Sequence, residues 1–180
     1  MQFYNVIENR KSIKSYVNAP VDNIKLSRMI KAAMMAPTWK NNSDFKIILV
    51  DDFDKKNSLA DSIRNKTEQA ANSLRQAPLA AVFTSDPNAS GIEDGKEYYL
   101  ADASIAMEHF VLAATEEGYG TCWIASFDES LVQQTLQIPQ SQRVVAMTPI
   151  GLPGSISEHH PPKDAADYVF LNSWNSPYNV

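Results

Sequence analysis

Three short segments carry side chains suited to binding chemistry. The first is Arg10-Lys11-Ser12-Ile13-Lys14, three cations and a hydroxyl in a chain that is acidic overall. A phosphate monoester bears nearly two negative charges; arginine forks onto its oxygens, and serine and backbone N–H groups complete the shell. A solvated basic turn has the same composition. The second segment is Ala36-Pro37-Thr38-Trp39-Lys40-Asn41-Asn42, placed between a helical pattern and a buried-strand pattern, a usual position for a binding loop. Thr38 and Asn41 offer donors and acceptors and Trp39 a stacking plane, although a polar capping loop around a half-buried Trp fits equally well. The third is Glu117-Gly118-Tyr119-Gly120-Thr121-Cys122-Trp123-Ile124-Ala125-Ser126. Its glycines permit a tight turn, and its small residues let backbone N–H groups approach a flat ligand. A plain helix-turn-strand is the bland alternative.

Other chemistries lack their residues. No Gly-x-Gly-x-x-Gly follows a strand pattern, so a dinucleotide-binding fingerprint is missing. No Gly-x-Ser-x-Gly elbow exists for a serine hydrolase. Cys122 has no partner signature and reads as an inert strand cysteine. His109 lies mid-helix among apolar residues and reads as packed. His159-His160 has no third ligand at metal spacing, so no metal is expected.

The elements that must position these segments read as mixed α and β. Residues 22–36 are helical, with Leu26, Met29, Ile30 and Ala33 on one face and Asp22 as N-cap. Ile47 to Val50 and Leu79 to Phe83 are short apolar runs that suit buried strands. Residues 54–74 read as one charged helix with Leu59, Ile63, Ala70 and Leu74 on one side. Residues 85–91 read as a loop. Residues 98–117 form the strongest helix, apolar around so much of its circumference that it must be buried, and Gly118 ends it. A strand over 121–124, a short helix opening at Asp128 and a strand over 143–150 follow. The last thirty residues are rich in Pro, Ser, Asn and aromatics and cannot build a core of their own.

Composition bounds the rest. A length of 180 residues predicts one domain, 1–180, with 151–180 an extended tail packed on a second subunit. With 44% hydrophobic and 21% charged residues the chain is globular rather than disordered. A net charge of −5 argues against a general nucleic-acid binder, which needs surplus Lys and Arg. One cysteine excludes an intrachain disulfide. There is no signal-peptide pattern and no membrane-length apolar run, so a cytoplasmic address and no membrane partner are expected.

Taken in register, the segments resemble the FMN-dependent nitroreductase family. The family's Arg-Arg-Ser-Ile-Arg-like opening is matched by Arg10 to Lys14, and its Ala-Ala-x-x-Ala-Pro-Ser-x-x-Asn by Ala32 to Asn41. Its Leu-Ala-Ala-x-x-x-Gly-x-Gly-Thr-x-Trp-Ile is matched by Leu112 to Ile124. Leu136-Gln137-Ile138-Pro139 and Gly151-Leu152-Pro153 match two later elements. Two departures stand out. Ser43-Asp44-Phe45 occupies the usual Gln-Pro-Trp place, and Lys163 stands alone where the family often has a Lys/Arg pair.

The resemblance implies an α+β fold, a three-layer sandwich with a central, mostly antiparallel sheet flanked by helices, assembled as an intertwined homodimer. It implies FMN as cofactor and NAD(P)H as donor. Electrons would pass through the flavin to an electron-poor small molecule such as a nitroaromatic or quinone, in ping-pong order. By family position Arg10 and Ser12 hold the phosphate with Lys11 beside them and Lys163 in support. Lys14 lies near the pyrimidine edge of the ring. Pro37, Thr38, Trp39 and Asn41 reach the flavin from their loop, partly across the dimer. Ile124, Ala125 and Ser126 bring backbone groups to the ring, and Asn65 matches a flavin-contacting asparagine. The alternative is a flavin-binding sensor or carrier on the same fold, without turnover.

Overall fold

In the computed structural model, which describes residues 2–155 and 164–178, helix α1 (Phe3–Asn9) leads into a ribbon over residues 10–17. Helix α2 (Asn23–Met34) begins where the Asp22 carboxylate accepts the Ile24 and Lys25 backbone N–H groups, both at 2.9 Å. This satisfies donors that a helix start leaves without partners. Strand β1 (Lys46–Val50), helix α3 (Phe53–Asp61), helix α4 (Gln69–Gln76) and strand β2 (Leu79–Ser85) follow. A one-turn helix α5 (Pro87–Ser90) and the hairpin of β3 (Ile92–Glu93) and β4 (Lys96–Glu97) precede the long helix α6 (Tyr98–Glu116). Strand β5 (Gly120–Thr121), helix α7 (Glu129–Leu136), capped by Asp128, and strand β6 (Arg143–Gly151) complete the layers.

The central sheet runs β1-β2-β6-β5, and every pair in it is antiparallel. Side chains alternate across a strand with a period of two. Ala81 and Phe83 of β2 therefore meet α2 and α6, where Met29, Ala33, Ala106, Met107 and Phe110 are buried. Ala80 and Val82 meet Leu59 of α3, Ala70 and Leu74 of α4 and Val132 of α7 on the other face. β2 is thus buried at every position, which is why Leu79 to Phe83 are all apolar; Thr84 and Ser85, also buried, end the strand. A bulge between Phe83 and Thr84 shifts the register on β6, so Ala146 and Val144 serve opposite faces. The fold is the expected α+β sandwich: helices, sheet, helices. Among the described residues no helix is long and apolar enough to cross a membrane.

Several local expectations are corrected. The single helix over 54–74 is two helices. Between them Ser62 to Arg64 leave the helical path to pair with the chain at 126–128. Arg64 N–H donates to Ser126 O at 3.0 Å, Asp128 N–H donates to Ser62 O at 2.7 Å, and Ile63 bridges Phe127. Long-range pairing here outweighs local helix propensity. The strand over 121–124 stops at Thr121, because Cys122 N–H turns to the Thr148 hydroxyl at 3.0 Å; the chain pairs again at Ile124 with Met147. The loop over 85–91 contains α5, whose first turn Asp86 caps. Within the tail, Phe170 bridges Pro177 and stacks near Trp174, yet Trp174 stays 82% exposed.

One contact sets the spacing between the ribbon and β5. A Cβ on Gly120 would lie 2.7 Å from Ile13 Cβ. Gly120→Ala is therefore expected to destabilise the protein by about 1–3 kcal/mol, because a packed element must shift to admit the methyl. Urea unfolding of both proteins measures this, and an unchanged midpoint would show that the ribbon yields freely.

Candidate functional site

The ribbon owes its course to backbone pairing on both sides. Ile13 N–H donates to Thr121 O at 2.8 Å, Val17 N–H to Leu152 O at 2.9 Å, and Gly154 N–H to Ser15 O at 2.8 Å. Ile13 and Tyr16 turn inward and bury together with Ala77. The Tyr16 hydroxyl donates to Ile13 O at 2.7 Å, and burial pushes its phenol well above the ordinary value. With those two side chains inward, Arg10, Lys11, Ser12 and Lys14 line a cleft of about 1070 Å³.

Asn65, Thr67 and Gln69, from the break between α3 and α4 and the first turn of α4, also line this cleft. Lys14 Nζ donates to Gln69 Oε1 at 2.9 Å, which ties the ribbon to α4. Three cationic side chains line the cleft, and among the described residues no carboxylate does. In a chain of net charge −5 this is a local inversion of sign. Such a concave, cationic site concentrates anions. Its cations and polar side chains suit an anion such as a phosphate.

Cys122 and Trp123 line the same cleft. Burial pushes the Cys122 thiol up, against the opposing pull of Lys14, Ser12 and Arg10. A thiol held protonated is a poor nucleophile, in keeping with its reading as inert. Trp123 Nε1 donates to Glu108 Oε2 at 3.2 Å. His109 packs between α6 and α2, with Nδ1 3.2 Å from Ala32 O.

The structure separates the sequence candidates into two groups. Arg10, Lys11, Ser12, Lys14 and Asn65 come together at the cleft. Pro37, Thr38, Trp39 and Asn41 do not line it; their loop is held against the start of α6, with Trp39 stacked on Tyr98. Ile124 is buried beside Met147, and Ala125 and Ser126 are exposed beyond it. Lys163, His159 and His160 lie outside the described residues. Gln69 and Thr67 were missed by sequence reasoning, because a continuous helix over 54–74 hides them. The poor helix formers Asn65 and Thr67, close together, were the available signal.

Comparison with known proteins follows the same lines. The sequence profile of the Nitroreductase family matches residues 7–152. A nitroreductase family protein from Clostridium novyi NT superimposes with a TM-score of 0.84 at 44% identity, over 99% of this chain and 97% of that one. An FMN-dependent nitroreductase from Clostridium difficile R20291 gives a TM-score of 0.82 at 25% identity, over 95% of this chain and 99% of the other. In sequence, the chain is 25% identical to a Bacillus subtilis protein named FMN reductase (NAD(P)H), over 92% of this chain and 73% of that protein.

Proposed function

The chain belongs to the nitroreductase family and is an NAD(P)H-dependent flavin oxidoreductase, and we propose that it holds FMN in the cationic cleft and serves an electron-poor small-molecule acceptor. The observation that carries this reading is the cleft itself, with three cations and, among the described residues, no lining carboxylate, in an acidic chain. Its residues fit the cofactor. Arg10, with Lys11 and Ser12, would hold the single terminal phosphate, and the cleft volume is that of a nucleotide-sized site. Asn65 and Gln69 would meet the polar edge of the ring. The chemistry that FMN supplies in such a site is transfer of electrons from NAD(P)H to an acceptor such as a nitroaromatic or quinone.

The protein's own part is binding, orientation and charge. Lys14, held by Gln69, keeps a cation against the ring edge. A cation there interacts more strongly with the reduced ring, which carries more negative charge, than with the oxidised one. Only such a difference moves an equilibrium.

The functional unit in this reading is a homodimer. Phe3 and Tyr4 on α1, Met35 at the end of α2 and Trp174 in the tail are 66%, 75%, 80% and 82% exposed. A second copy that covered these side chains would remove their apolar surface from water. The second copy would bring its Pro37, Thr38, Trp39 and Asn41 to the first copy's cleft; the Ile124 N–H and carbonyl are both taken by Met147, which leaves the exposed Ala125 and Ser126 to offer backbone groups from within the chain.

The experiment that tests the function compares wild type with Arg10→Ala. Wild-type protein should be yellow, bleach anaerobically with NAD(P)H and recolour with a quinone, and Arg10→Ala should bind FMN about ten- to a hundredfold more weakly in a fluorescence titration. A yellow protein that NAD(P)H cannot bleach is a flavin binder without turnover, and equal FMN affinity in both proteins removes Arg10 from the phosphate site. Lys14→Met should lower the two-electron midpoint by about 20–45 mV while changing oxidised FMN affinity much less. Dye-equilibration potentiometry reads this, and identical midpoints would make Lys14 a surface residue. Truncation after Gly151 should yield aggregated or unfolded protein by sedimentation, since it strips both the ribbon's bonds to Leu152 and Gly154 and a partner-covering segment; a stable FMN-bearing monomer, of the truncated or the full chain, would contradict the dimer.

A further inference from the structure

Asp102, in the second turn of α6, is 2% exposed. A buried carboxylate is costly unless its oxygens find donors. Oδ1 accepts the Trp39 backbone N–H at 2.7 Å, and Oδ2 accepts the Ser90 hydroxyl at 2.5 Å. Both donors are neutral. One turn earlier, Tyr98 stacks on the Trp39 ring with centroids 3.6 Å apart and planes 11° from parallel. Residues four apart share a helix face, so α6 grips Trp39 twice, by its ring and by its backbone.

The loop held in this way does not keep its shape by local preference. Lys40, Asn41 and Ser43 have φ of 50°, 58° and 51°. Asparagine tolerates this left-handed region, but lysine and serine rarely enter it. Such positions persist where the surroundings over-determine them. Ser43 N–H bonds Thr38 Oγ1 at 2.9 Å and the Asn42 amide bonds Ala89 O at 2.8 Å, yet Asp102 supplies the charge-assisted bond. A space-filling apolar residue would avoid the desolvation cost. What a carboxylate adds is a fixed direction for the Trp39 amide.

We propose that Asp102 is a positioning residue of the oxidoreductase site: by fixing the Trp39 backbone it aims Thr38 and Asn41 at the FMN held by the partner copy. The inference rests on the reading above, in which this loop completes a neighbouring cleft. Asp102 itself touches neither cofactor nor acceptor.

The test uses full-length wild type, Asp102→Ala, Asp102→Asn and Arg10→Ala, each checked for fold by circular dichroism and for assembly by sedimentation. FMN affinity is read by fluorescence titration, and the environment of the bound flavin by its visible spectrum. Asp102→Ala is expected to bind FMN about tenfold more weakly, with a spectrum moved toward that of free flavin. Asp102→Asn keeps one acceptor oxygen for the Trp39 N–H and should recover most of the affinity, falling about threefold short of wild type. A residue that only stabilised α6 would lower the unfolding temperature and leave the spectrum of bound FMN unchanged. Wild-type affinity and spectrum in Asp102→Ala, with binding lost in Arg10→Ala, overturns this inference alone. Wild-type binding in Arg10→Ala as well overturns the cleft reading and this inference with it. Should Asp102→Ala not fold, Asp102→Asn decides by the same titration, unchanged affinity and spectrum being the overturning result.

Discussion

The close approach of the ribbon to β5 is the constraint on which the cleft depends. Gly120 leaves no side chain between β5 and Ile13, where a Cβ would come within 2.7 Å. The ribbon can then pair with Thr121 and bury Ile13 and Tyr16. Those inward residues act as an apolar anchor for Arg10, Lys11, Ser12 and Lys14. Three cations on one short ribbon repel one another. Backbone pairing and burial hold them together, and an anion in the cleft relieves the repulsion. In the function proposed above, the affinity for a phosphate is thus prepared by the fold before the ligand arrives.

The opposite side of the cleft depends on a departure from regular structure. Had α3 and α4 been continuous, Asn65 and Thr67, two positions apart, would point to opposite sides of one helix. Pairing of residues 62–64 with residues 126–128 ends α3 early and re-aims the chain. Gln69 then reaches Lys14, and two segments distant in the chain share one hydrogen bond. The irregular segment is affordable because its backbone groups at 62 and 64 find partners on residues 126 and 128.

Helix α6 links the core to the loop over 37–42. Its alanines let α2 and the sheet pack closely, which makes it the central support of one face. Its first turns also carry Tyr98 and Asp102, which seat the loop over 37–42. The same helix therefore supplies core and posture. In the two-copy reading each chain contributes a charged ribbon to its own cleft and a seated loop to its neighbour's. That division gives the exposed apolar residues of α1 and the tail a use.

Local pattern made much of the fold legible. Periodicity marked α2 and α6, Asp22 was legible as the cap of α2 and the run from Asp128 as the opening of α7, because those signals depend only on residues within a turn or two. The continuous apolar run of β2 announced a strand covered on both faces. The cationic motif around Arg10 and the glycine-containing segment from 117 pointed to two stretches that the structure brings to one cleft. What local pattern could not contain was the break at 62–68, the shortened strand at 121, the contact of Lys14 with Gln69, or the bonds of Asp102 to Trp39 and Ser90. A single aspartate in an alanine-rich helix reads only as one polar residue. Lys14 and Gln69 are 55 positions apart, and Trp39 and Asp102 are 63 apart. Propensity and periodicity act over a few residues, whereas these contacts exist only once the layers have packed, so the sequence determined the elements and the tertiary structure decided the site.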